Sequence, residues 1–178
     1  HLVNRLLEPF SWITVIASAT EWANFFHLRC HRDAQPEFRK IACMAKDLYY
    51  ASEPVQFRWP NCWHLPFVTE EDENEAHERY GDSAIPMEDL IAMISVGRCA
   101  RVSYLTHDGK RDMQADIDLA NRLIQSGHWS PFEHIATPRD PNTWSGNFRG
   151  WTQYRKHFIN VENRRFLAKD PAEYEEAT

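Results

Sequence analysis

No apolar run in this chain approaches the length needed to cross a bilayer, and no secretory leader opens it. A membrane role drops out, and a cytoplasmic setting is the expectation. The four cysteines, Cys30, Cys43, Cys62 and Cys99, are widely scattered and form no CxxC pair. That excludes a disulfide framework and leaves a reducing compartment as the default. It also removes the strongest zinc signature. Two looser groups remain, Cys62-Trp63-His64 and the helically spaced His27, Cys30 and His31, so a structural zinc stays open as a lesser reading. Positive charge is short as well: the net charge is −6, which argues against a nucleic-acid polymer as partner. Nor does any convincing Cys-His or Ser-His pairing mark an enzyme nucleophile. The chain opens on His1 and not on Met, as a fragment or processed product would.

With 178 residues the chain is long enough for one domain and one core, expected over residues 1–167 with an acidic tail at 168–178. Seven Trp and ten Phe point to packed helices or to flat ligands. The stretch 18–41 reads as two helices meeting at a polar elbow. Trp22, Phe25 and Phe26 make one apolar stripe with Leu28 near its edge, leaving Glu21, Asn24 and Arg29 for other work. Asp33 is placed to cap the second helix, with Pro36 in its first turn. That helix continues through Phe38, Ile41, Ala45 and Leu48 at the spacing of a buried face.

In chain order, residues 1–9 read as helix ending at Pro9, and 10–19 as a strand, with Thr20 as the next cap. Residues 51–86 read as a Pro-rich excursion whose acidic run, 70–78, is a solvated face. A helix follows over 87–102 with Leu90, Ile91, Ile94 and Ala100 inward and Arg98 and Arg101 projecting near its far end. Asp112 then caps a helix through Gln125, with Ile117, Ala120, Leu123 and Ile124 inward and Gly127 closing it. Ser130-Pro131-Phe132-Glu133 has the spacing of a capping box, whose free amides would suit an anion. His134 reads as a packed, hydrogen-bonded histidine. Beyond it, Arg149, Arg155, Lys156, Arg164 and Arg165, with Trp151 and Tyr154 between, form a basic-aromatic patch. It is suited to stacking on a base, or else to a solvated edge or an oligomer contact. The fold class is α+β, helices packed on a small antiparallel or mixed sheet.

Two stretches carry a resemblance. Asn24-Phe25-Phe26-x-Leu28-Arg29 followed by Asp33-Ala34-Gln35-Pro36-Glu37-Phe38-Arg39 resembles the C-terminal part of flavin-dependent thymidylate synthases. Ala100-Arg101-Val102-Ser103-Tyr104, a helix, then Gly127-His128-x-Ser130-Pro131-x-Glu133-His134 resembles the N-terminal part of the same family. The usual order is reversed, as in a circularly permuted, phage-type member. The resemblance spans about residues 1–50 and 95–138. The family's R-H-R or T-H-R segment is not found, and Tyr154-Arg155-Lys156-His157 is a poor copy of it. That segment is expected ahead of His1. Ser18 and Thr20 stand where the family carries an asparagine and an arginine at the flavin.

The resemblance implies methylation of dUMP to dTMP without a covalent enzyme nucleophile, drawing on FAD, NADPH and methylenetetrahydrofolate. It places Arg29 against the uracil ring as the catalytic donor and Arg5, four residues before Pro9, on the nucleotide phosphate. It places Asn24, Leu28, His128, Ser130 and Glu133 at the flavin. It also implies a homotetramer with shared sites. The rivals are a related flavoenzyme transferring another one-carbon group, such as hydroxymethyl, and a truncated or accessory subunit without chemistry.

Overall fold

The computed structural model describes residues 14–54, 63–102 and 111–158. It is mixed α+β: five α-helices with two small antiparallel ladders. The expected helix over residues 1–9, with Arg5, lies outside the described residues, as do Cys62, Ser103, Tyr104, Arg164, Arg165 and the acidic tail.

The core is organised on helix α4, Met87–Ala100, which is buried without interruption from Leu90 to Cys99. A helix apolar on all sides can only sit inside. It packs along α5, Met113–Ser126, which is amphipathic and buries Met113, Ile117 and Ala120. The two axes come closest at Gly97, where a Cβ would fall 2.5 Å from the Asp116 carbonyl oxygen. The expected bounds of α5 hold. The Asp112 carboxylate accepts from the Ala115 amide, and Gly127 closes the helix in the left-handed region at φ 73°.

Arg98 does not project from the far end of α4; it is buried. Its guanidinium donates to both carboxylate oxygens of Asp72 at 2.5 and 2.8 Å, to Asp116 at 3.3 Å and to the Phe67 carbonyl at 2.6 Å. Arg101 also pairs with Asp116, and Arg111 with Asp72. Asp72 comes from the excursion, which is thus only partly loop. Residues Glu70–Tyr80 form helix α3, begun by a reciprocal capping box between Thr69 and Asp72. The acidic run is a helix start, where negative charge meets the positive dipole end. Just before it, Phe67 holds φ 65°, a left-handed conformation fixed by Arg98 on its carbonyl.

At the other end of the core Phe132, Ile135 and Tyr154 are buried, and Trp63, Trp129 and Phe158 pack around them edge to face or tilted. Tyr154, expected in the exposed patch, sends its hydroxyl to Asp89 at 3.0 Å. Strand β1, Ala136–Pro138, pairs antiparallel with β4, Trp151–Gln153, Ala136 opposite Gln153. On the other edge of β1, His64 exchanges backbone bonds with Ala136 at 2.7 and 3.3 Å. Strands β2, Trp144–Ser145, and β3, Phe148–Arg149, form a hairpin through Gly146 and Asn147, with Gly146 at φ 55°.

Helices α1, Ala23–Arg29, and α2, Pro36–Ala51, make the expected hairpin with Pro36 in the first turn of α2. Trp22, Phe25 and Phe26 cluster with Phe38, Tyr49 and Tyr50. The outer face of α2 departs from the expectation: Phe38, Ile41 and Leu48 are exposed, Leu48 at 72%, and only Ala42 is buried. Among the described residues Phe38 meets Phe25 and Arg29, while Ile41 and Leu48 stay largely uncovered. Neither predicted cap operates. Asp33 lies near His31 and Arg32, while Gln35 precedes α2 without a side-chain cap. Residues 14–18 are not a strand and join neither ladder.

Candidate functional site

Residues 17–22 run across the β2–β3 hairpin, and side chains rather than a ladder hold them there. Thr20, expected as a helix cap, instead accepts from the Arg149 amide at 2.8 Å and donates to the Asn147 carbonyl at 3.4 Å. Its backbone amide donates to the same carbonyl at 3.1 Å. The Trp22 indole is fixed by donating to the Ala19 carbonyl at 2.9 Å. Ser18 Oγ lies 3.1 Å from His134 Nδ1, bridging residues 116 apart in sequence.

Above this join lies an open hollow of about 300 Å³, lined by Ser18, Thr20, Trp22, His64, Phe148 and Trp151 together with the alanines at 17 and 19. Its volume is at the lower end for a small-molecule site. Four of its side chains are flat rings, and the alanines leave room for a planar occupant to lie against them. Burial lowers the pKa of His64 from its ordinary 6.5. Burial, and then the nearness of His64, does the same to His134. Both imidazoles are therefore neutral at pH 7, each with one donor and one acceptor nitrogen.

The residues that the resemblance singles out fall into three places. Asn24, Leu28 and Arg29 are exposed on α1, with the Arg29 guanidinium 5.5 Å from the centre of the Phe38 ring. His128 and Ser130 are exposed, and His128 Nδ1 lies 2.7 Å from Ser126 Oγ. Glu133 is half-buried and bound by Arg155. The expected capping box is not made: Ser130–Glu133 is a single 3-10 turn after Trp129 with no side-chain cap. Glu133 cannot reach back because its carboxylate is turned to Arg155, and so short a turn has little dipole to offer an anion. Ser18, ahead of the first stretch, is bonded directly to His134 at the end of the second.

The basic-aromatic patch divides. Trp151 lines the hollow, Arg149 pairs with Glu21 at 3.5 Å, and Arg155 holds Glu133. His64 was legible only as half of a weak metal motif. Among the described residues no three metal-ligating side chains converge. The buried Cys99 thiol is pushed up to about 12 by desolvation and is no nucleophile. No described helix is long and apolar enough to cross a membrane. Compared with family models, with curated proteins and with solved structures, the chain finds no match in any of the three.

Proposed function

We propose that this chain belongs with the flavin-dependent thymidylate synthases in a permuted, phage-type arrangement, and that it methylates dUMP to dTMP. One observation carries the reading. The hydrogen bond between Ser18 and His134 ties the segment leading into the first resembling stretch to the end of the second, and Ser18 also lines a hollow walled by flat rings. Stretches lying in reversed order along the chain need such a join if they are to serve one ligand.

The donor set fits a flavin ring in part. Trp22, Phe148 and Trp151 offer faces for stacking, and Ser18, Thr20 and His64 offer polar contacts at the margin. Ser18 and Thr20 are shorter than the asparagine and arginine that the family carries there, so stacking has the larger share. When bound, the flavin supplies the hydride, methylenetetrahydrofolate the one-carbon unit and NADPH the reducing equivalents. The chain's own residues position and polarise. Arg29 stands off its helix against Phe38, a fixed cation for the carbonyl side of a uracil ring, and such a preorganised donor is worth roughly 3 kcal/mol. Glu133 is held in orientation by Arg155, next to His134 in the chain.

The exposed stripe on α2 supports assembly into a homotetramer whose subunits complete one another's sites. The test is purification of the full-length protein, flavin absorbance, and assay of dUMP with FAD, NADPH and methylenetetrahydrofolate. A product heavier by a methyl group supports the reading, and one heavier by hydroxymethyl moves it to the related transferase. Arg29→Ala is expected to remain folded and lose turnover. A protein that takes up no flavin and leaves dUMP unchanged overturns the proposal in favour of a non-catalytic subunit.

A further inference from the structure

We infer that His64 is a specificity-determining residue of the aromatic hollow, meeting the polar edge of a flat, uncharged heterocycle that stacks on Trp22 or Trp151. His64 lies outside both stretches that carry the family resemblance. Three observations place it. Its backbone is locked by two hydrogen bonds to Ala136, so the ring is held on the wall of the hollow and not on a mobile loop. Its imidazole leans on Phe148, with 6.5 Å between ring centres, which sets its tilt. Among the described residues no hydrogen bond is made to that imidazole, whereas the neighbouring His134 spends Nδ1 on Ser18.

An imidazole on a backbone locked in place, with no hydrogen-bond partner among the described residues and facing an aromatic hollow, offers one donor and one acceptor to a ring with amide- or imide-type edges. A site built to satisfy such an edge rejects analogues lacking it, because its own polar group is otherwise left unpaired. A neutral imidazole supplies hydrogen bonds and no counter-charge, which suits an uncharged ring edge. The inference rests on the proposed flavin site and names the residue that selects within it.

The experiment is titration of the full-length protein with FAD and with riboflavin, followed by quenching of flavin fluorescence, for wild type, His64→Phe and His64→Gln. The phenyl ring keeps the stacking volume and deletes the polar contact, while the amide restores a donor and an acceptor. At least a tenfold loss of affinity is expected for His64→Phe, and recovery to within about threefold of wild type for His64→Gln. Near-ultraviolet circular dichroism should be unchanged in both. Should the phenyl ring prevent folding, His64→Leu takes its place in the same comparison. Equal affinity for wild type and the apolar variant overturns the role of His64 and leaves the flavin site standing. If wild type binds neither flavin, the proposed site itself fails and this inference falls with it.

Discussion

Ser18 Oγ and His134 Nδ1 meet at 3.1 Å although 116 residues separate them. One end of this bond lies on the strap 17–22, which is also held to the β2–β3 hairpin by Thr20 and by the Glu21–Arg149 pair. The other follows the 3-10 turn that carries Glu133. Removing the hydroxyl in Ser18→Ala should cost about 1 kcal/mol in chemical denaturation, the net worth of one partly buried hydrogen bond. The larger effect is expected on flavin affinity, since the floor of the hollow loosens. Unchanged affinity would show that the strap holds its place without this bond.

Gly97→Ala is predicted to destabilise the protein by about 2 kcal/mol or more. The new methyl would sit 2.5 Å from the Asp116 carbonyl oxygen and 2.6 Å from its Cα, and backbone cannot swing aside as a flexible side chain can. Guanidinium denaturation at constant pH measures it. A loss below 0.5 kcal/mol, typical of unremarkable surface changes, would mean that α4 and α5 do not cross this closely.

Arg98→Met should cost about 3–5 kcal/mol, because it leaves two buried carboxylates, Asp72 and Asp116, short of their shared cation. Arg101 and Arg111 remain to offset part of this. Phe67 would also lose the donor that holds its left-handed backbone. Replacing all three charged partners together with apolar residues should cost less than the single change.

Stability should fall in two stages as the medium is acidified. Burial depresses His64, His134 and His157 below 6.5, so between that value and their folded pKa values the unfolded chain binds more protons. Stability therefore declines as pH drops below 6.5 and levels off once the folded histidines are charged too. Below it lies a carboxylate stage. The Arg98 guanidinium holds the Asp72 carboxyl far beneath its ordinary 3.8. Its contribution is whole above 3.8 and is lost as the pH falls from there toward the folded value. Thermal melts across pH 3–8 would resolve both stages, and Arg98→Met should flatten the lower one.

The apolar stripe on α2 predicts self-association. Leu48→Glu or Ile41→Lys should leave the circular dichroism spectrum of the single chain intact, since both side chains are more than 60% exposed. In sedimentation the assembly should break down to smaller species. If wild type is already a monomer at micromolar concentration, the shared-site part of the proposal fails.

Local chemistry carried the sequence reading where it succeeded. Asp112 and Gly127 bound α5 because capping is decided within one turn, and the aromatic stripe of α1 follows from helical spacing. The misreadings share a cause. Thr20 and Asp33 are able to cap, but Thr20 found the hairpin across the strap, and Asp33 stayed with its own elbow. The 10–19 segment has strand composition, yet its described part joins neither ladder. Ser130 and Glu133 have the spacing of a box, and Arg155 took the glutamate.

By itself the sequence determined the α+β class, the ends of α5, the hairpin of α1 and α2, and the two stretches whose wording points to flavin chemistry. Each of these rests on spacing and capping within single elements or between neighbouring ones along the chain. Only the tertiary structure decided that Arg98 is buried between two carboxylates and that His64 stands on the wall of the hollow. Those outcomes depend on which surfaces approach from far along the chain, and a buried charge or an imidazole takes its role from the groups that surround it.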